Sequence, residues 1–177
     1  MHALIISTKS GPDNIPSSLL PMKGKAVIDY VLSDILNQKE VSGITILTTP
    51  EFVAIHQKHI SNSFSDSSIG LMTDINDVKD ISEDLLVCEG ATYTSLKMQD
   101  FIRAYKQFKR ITIASFKAED KDVFIPYAII PQLEAKSLLE YSKTTAIFTL
   151  GSFHAWLVAN NTPPYVFKSG TGFCISL

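Results

Sequence analysis

Short apolar runs rich in β-branched residues alternate with amphipathic segments along nearly the whole chain. This order limits the folds open to it. Ala3–Ser7, Ile44–Thr48, Ile69–Met72, Leu85–Glu89, Ile111–Phe116 and Thr145–Leu150 read as strands. Helical spacing is predicted over Lys25–Gln38, from Pro50 to Ile60, from a Ser95 cap to Phe108, from Pro131 to Tyr141, and over Ser152–Asn160. Val123–Ile130 carries Pro126, so it is expected at a sheet edge or as an irregular strand. Thr73–Asp84 is acidic and is expected to wind over the surface, and two short strands around Val166 and Phe173 finish the chain. A βαβα order of this kind predicts an α/β fold: a mostly parallel, Rossmann-like sheet with helices on both faces. Ligands in such sheets lie beyond the carboxyl ends of the strands.

The length of 177 residues suits one domain spanning 1–177, and 45% apolar residues exclude a disordered chain. A net charge of −2 supplies no positive field for nucleic acid, so no nucleic-acid partner is expected. The basic cluster Lys106 to Arg110 closes a predicted helix, where it complements the helix dipole. Cys88 and Cys174 fit no metal spacing; Cys88 reads as a small core residue, and a reducing, cytoplasmic setting is expected. The apolar start is too short for a signal sequence, and no run approaches the length of a membrane span.

Three segments carry a resemblance. The first is Leu19-Leu20-Pro21, then Gly24-Lys25 and the helix that begins there, following the opening strand and the polar loop Ser7 to Ser18. The second is Leu85-Leu86-Val87-Cys88-Glu89-Gly90-Ala91. The third is Phe148-Thr149-Leu150-Gly151, running on to Ala159-Asn160. Together they resemble the nucleotide-sugar pyrophosphorylases, the sugar-phosphate nucleotidyltransferases, and the resemblance implies a fold of the nucleotide-diphospho-sugar transferase type. In that family a Gly-rich loop and its Arg and Lys bind the nucleotide phosphates, and two Asp residues hold Mg²⁺.

This chain departs from the pattern at the chemical positions. Ser17 stands where the Lys is expected, Ala91 replaces the first metal-binding Asp, and Thr149 replaces the second. Of the loop glycines Gly11 remains, and no Arg is present between Ser7 and Ser18. The connection Lys117 to Asp122 is shorter than the family's excursion, which helps bind the sugar phosphate. Lys9, Gly11, Lys25, Glu89 and Gly90 are what the resemblance leaves for ligand binding. Lys9 reads either as a substitute phosphate contact or as a solvated loop lysine; Glu89 reads either as a metal-reaching carboxylate or as a charge at a sheet end. His154, alone in the first turn of its helix, reads as structural or exposed.

The leading expectation is therefore a nucleotidyltransferase-like domain without catalysis, acting as a regulator that binds a nucleotide, a sugar phosphate or a partner protein. No catalytic residue, no metal site and no cofactor is expected. A second reading is a divergent sugar-1-phosphate or choline-phosphate nucleotidyltransferase using Mg²⁺, with Glu89, Lys9 or Asp122 in substitute roles. A third is a structural module that assembles with itself or with an active relative. Its apolar tail Phe173–Leu177 is either offered to a neighbour as an edge strand or, as favoured here, closes its own sheet.

Overall fold

A computed structural model describes residues 1–65, 68–80, 82–117, 123–145, 148–168 and 174–176. In chain order the elements are β1 (His2–Ser7), β2 (Pro21–Met22), β3 (Lys25–Ala26), α1 (Val27–Leu36), β4 (Gly43–Thr48), α2 (Val53–Ser63), β5 (Ile69–Met72) and β6 (Leu85–Glu89). There follow β7 (Thr92–Thr94), α3 (Met98–Phe108), β8 (Thr112–Lys117), β9 (Val123–Ile130), α4 (Ala135–Ser142), α5 (Leu150–Ala159), β10 (Tyr165–Lys168) and β11 (Cys174–Ser176).

Among the described residues, seven strands form one sheet in the order β10-β8-β9-β6-β1-β4-β5. β1 runs parallel to both β4 and β6, β4 is parallel to β5, and β10 is parallel to β8. Only β9 opposes its neighbours, so the sheet is mostly parallel, as the alternation predicted.

The strand period of two sorts the core into two layers. From β1, Ala3 and Ile5 join one cluster with Ile28, Val31 and Leu32 of α1, Ile60 of α2 and Phe101 of α3. Leu4 and Ile6 point the other way and pack with Leu138 of α4 and Leu150, Phe153 and Leu157 of α5. Helices therefore cover both faces, and the buried central strands read as unbroken apolar runs.

Several boundaries differ from expectation, each for a local reason. Lys25 belongs to the β2–β3 hairpin, where Met22 pairs with Lys25, so α1 starts at Val27. Ser95 does not cap α3: the chain is still extended as β7 through Thr94, whose Oγ1 accepts the Leu96 N–H (3.2 Å), and the helix begins at Met98. Val123–Ile130 is not an edge but an interior strand between β6 and β8. Pro126 is tolerated there because the β8 register shifts between Ala114 and Phe116, and the β6 ladder ends at the Cys88–Tyr127 pair.

The predicted strand Thr145–Leu150 does not form at its described residues. Leu150 is already helical and Thr149 is the cap of α5, while 146 and 147 lie outside the described residues. Val78 is buried and anchors the acidic stretch after Thr73, so that stretch is not all surface. The tail closes on its own chain: Cys174, Ile175 and Ser176 pair antiparallel with Thr94, Tyr93 and Thr92. Phe173, Leu177 and the 118–122 connection, with Asp122, lie outside the described residues. Among the described residues no helix is long and apolar enough to cross a membrane.

Candidate functional site

From β1 the sheet grows one way through β4 and β5, and the other way through β6 and β9. The loops that leave the carboxyl ends of β1 and β6 therefore part company, which opens a crevice at that point. Ser7, Thr8 and Lys9 stand at the end of β1 and Glu89, Gly90 and Ala91 at the end of β6; of the six, Lys9 is exposed, Thr8 half-buried and the rest buried. The N-terminus of α5 is held against Glu89 by the bond described next.

Glu89 organises this crevice. The residue is 6% exposed, its Oε1 accepts the Leu150 N–H of α5 (2.8 Å), and its Oε2 lies 4.0 Å from Lys9 Nζ. Burial pushes the carboxyl above its ordinary range, against the opposing pull of the Leu150 N–H and Lys9. Glu89 thus stands at the carboxyl end of β6, bonding the start of α5 through one oxygen and facing Lys9 through the other. Lys9 is brought to Glu89 as a partly exposed ion-pair partner.

The other sequence-selected positions serve the chain's own geometry. Thr149 is the N-cap of α5, its Oγ1 accepting the Ser152 N–H (3.1 Å). Ala91 presents a nearly buried methyl group. Ser17 is buried, and its N–H donates to the Lys9 carbonyl (2.9 Å), which pins the loop after β1 closed.

Gly11 does not offer its N–H to a phosphate, because that N–H donates to the Ile15 carbonyl (2.7 Å). A Cβ there would meet Leu20 Cδ1 at 3.0 Å and Ile15 O at 3.1 Å. Gly90 likewise donates to the Ile6 carbonyl (2.8 Å), and a Cβ there would lie 2.8 Å from that oxygen. Glycine is needed at position 90 for close backbone approach, while at position 11 a side chain would only crowd its neighbours. His154 is half-buried on α5, and burial lowers its pKa.

Lys25 is not part of this crevice. It lines a groove between α1 and α2, and none of Lys9, Gly11, Glu89 or Gly90 lines that groove. Beside the crevice, beyond the ends of β4 and β5, lies a pocket of about 250 Å³ lined by threonines, among them Thr8, Thr48, Thr49 and Thr73, with Asp74 and Phe148. The Thr49 hydroxyl is buried there and finds no partner among the described residues. Both the Asn76 N–H and its amide Nδ2 donate to Asp74 (2.8 Å each), so this carboxylate is partly committed.

A buried polar chain under the crevice was not foreseen. Ser7 Oγ lies 2.5 Å from Ser18 Oγ and 2.9 Å from His56 Nε2, and the Thr48 hydroxyl donates to the Ser7 carbonyl (3.1 Å). His56 is 0% exposed, and burial, helped by the neighbouring His59 charge, lowers its pKa to about 4. Its Nδ1 is buried without a partner among the described residues. The signal was present: Phe52, His56 and Ile60 recur every four residues and are all buried, which sets the histidine on the apolar stripe of α2.

No protein-family model matches this sequence, and neither does any curated protein. Solved structures do match over almost the full length. A protein assigned as a glucose-1-phosphate thymidylyltransferase from Bacillus anthracis aligns with a TM-score of 0.77 at 12% identity, over 99% of this chain and 89% of that one. 4-Diphosphocytidyl-2C-methyl-D-erythritol synthase from Anaerococcus prevotii aligns at 0.70 and 16% identity, over 96% and 89%. CTP:phosphocholine cytidylyltransferase from Streptococcus pneumoniae aligns at 0.66 and 13% identity, over 99% and 92%. The chain has the nucleotidyltransferase fold.

Proposed function

We propose that this chain is a binding domain of nucleotidyltransferase fold that does not perform nucleotidyl transfer and acts as a regulator through a nucleotide or sugar phosphate held over the β1–β6 crevice. The observation that carries the reading is the state of Glu89. The carboxylate nearest the family's first metal position already bonds the α5 N-terminus, while Ala91 and Thr149 contribute a methyl group and a capping hydroxyl. Mg²⁺ asks for near-octahedral oxygen ligation, and this donor set does not fit it.

Magnitudes support the same reading. Attack on an α-phosphate brings highly charged groups together, and cations supply most of the stabilisation. Losing one preorganised stabiliser costs ~10²–10³ in rate. Two such losses, even if imperfectly additive, reduce a turnover of about 10 s⁻¹ to roughly one event in minutes to a day. Binding tolerates these losses far better: the threonine-lined pocket and Lys9 remain accessible to a polar ligand.

The test pairs calorimetric titration of nucleoside triphosphates and sugar phosphates with a pyrophosphate-release assay. Binding heat without release is the expected result. Release above background, abolished by a chelator, refutes the proposal. A second reading, divergent catalysis, draws on Lys9 standing beside Glu89 at the switch point; under it Glu89→Gln abolishes turnover, and an unchanged rate removes it. Assembly with itself or with an active relative and a cytoplasmic location belong to the same proposal. Concentration-dependent sedimentation checks the first, and the buried free thiol of Cys88 agrees with the second.

A further inference from the structure

We propose that Ser18, Ser7 and His56 form a buried latch that holds the loop 8–18 closed on α2, and that uptake of one proton releases it. The loop leaves the end of β1 at the crevice, so the latch sets whether that side of the crevice stays in place. Ser7 ends β1, Ser18 ends the loop and His56 sits on α2. Ser7 Oγ bridges the other two, 2.5 Å from Ser18 Oγ and 2.9 Å from His56 Nε2, and all three residues are buried. The loop has few other ties. Its backbone bonds from Ser17 to Lys9 and from Gly11 to Ile15 are internal. Residues 9, 10 and 12–15 are exposed, and Asp13 and Asn14 both stand at φ 56°, a left-handed backbone that strains residues with side chains. Segments of this kind lie at the low-stability end of a fold. Phe52 and Ile60, by contrast, anchor α2 in the core. The loop is therefore the member that moves.

The closed latch accommodates one proton on the ring and not two. With its proton on Nε2 the neutral ring donates to Ser7, and Ser7 donates on to Ser18. Nδ1 is then a bare lone pair, buried and without a partner among the described residues. A second proton has to go on Nδ1, where no acceptor meets it. No carboxylate offsets the charge either. β1, β4 and the loop bring the hydroxyls of Ser7, Thr48 and Ser18 to this cluster. The charged group that acts on the ring is His59 of the same helix, itself 2.6 Å from Asp29 of α1. Lys9 faces Glu89 instead, and Asp13 is exposed. Burial accordingly lowers the pKa of the closed site to about 4. Once the loop leaves, water reaches the ring and the pKa returns toward 6.5. Below that pH each opening takes up a proton, so the open fraction rises as pH falls. The latch needs no ligand and stands apart from the function proposed above.

Amide hydrogen exchange on the full, ¹⁵N-labelled chain, followed by NMR from about pH 7.5 to about pH 4.5, reads the opening. The reporters are the Gly11, Ser17 and Leu19 N–H groups, which bond the Ile15, Lys9 and Pro16 carbonyls. Their protection factors are expected to fall with pH, approaching tenfold per pH unit below 6.5 and on the order of 50-fold in all. Dilute urea is expected to leave this exchange unchanged while it speeds exchange at Ile5 and Val87 in the sheet, because a local opening exposes little surface. In His56→Gln the loop protection is expected to hold constant over the same range. Three results overturn the proposal: protection independent of pH in the parent, the same fall in His56→Gln, or loop amides that share the protection and urea dependence of Ile5 and Val87. Should the variant not fold, the parent's own ring decides. Its ¹⁵N shifts are expected to report a neutral His56 at about pH 5.5, where a free histidine is charged. A charged ring there with the loop still protected overturns the latch.

Discussion

His56 ties the stability of the fold to pH in a calculable way. In the folded chain its pKa is lowered from 6.5 to about 4, because charging the ring would place a proton in a site closed to water. The gap of about 2.5 units, at about 1.36 kcal/mol each, amounts to about 3 kcal/mol. The sign follows from linkage. Above pH 6.5 the ring is neutral in both states and the fold carries no penalty. Between 6.5 and about 4 the unfolded chain takes up a proton that the folded chain refuses, so stability falls as pH falls. Below about 4 the loss is complete.

Against a typical domain stability of about 5–15 kcal/mol, this is a large share. Glutamine at this position can still bond Ser7 and does not titrate. The measurement is urea unfolding of the parent and His56→Gln, followed by far-UV circular dichroism in steps from about pH 7.5 to about pH 4. Groups remote from position 56 are common to both proteins, so the difference between the two curves reports His56 and its coupling to His59. The parent is expected to lose about 3 kcal/mol relative to the variant over this span. A difference that stays constant with pH refutes the reasoning. Burial is the larger cause and the His59 charge the smaller, so His59→Gln is expected to leave most of the drop in place.

Four further outcomes are expected. Gly90→Ala drives a methyl group to 2.8 Å from the Ile6 carbonyl in the middle of the sheet, where the backbone cannot yield, and should cost about 1–3 kcal/mol in thermal unfolding. Glu89→Ala strands the buried Leu150 N–H and should cost about 1–3 kcal/mol, whereas Glu89→Gln keeps an acceptor and should stay within about 1 kcal/mol of the parent; equal losses would remove the capping role. Thr149→Ala should cost about 1 kcal/mol, while Thr149→Asp, another good cap, should not, as denaturant midpoints will report. Lys109 ends α3 at φ 53°, so Lys109→Gly should raise the melting temperature by relieving about 0.5–1 kcal/mol, less what is lost from its contact with the Tyr105 ring.

Ile69–Met72, Leu85–Glu89 and Val123–Ile130 were legible to the residue because an apolar run bounded by polar or turn residues leaves a buried strand little freedom. Ser95 reads as a cap and does not cap α3, while Thr149 reads as strand and caps α5. A hydroxyl residue before an apolar stretch is compatible with either state, and what decides is which backbone the neighbouring elements hold extended. For Val123–Ile130 Pro126 leaves an edge strand and an irregular strand both open; the second holds, because the bulge opposite Ala114 and Phe116 arises only when β8 is paired.

Most of the order of elements and the apolar stripes are fixed by the sequence itself, since both depend on residue type and near spacing. Pairing across the sheet decided the rest. Glu89 meets Leu150 across 61 positions, and Ser7 meets His56 across 49. No local pattern encodes such contacts, because the energy that selects them is released only when distant strands and helices have already closed the core. The same closure placed Lys25 not at the crevice but on the α1–α2 groove.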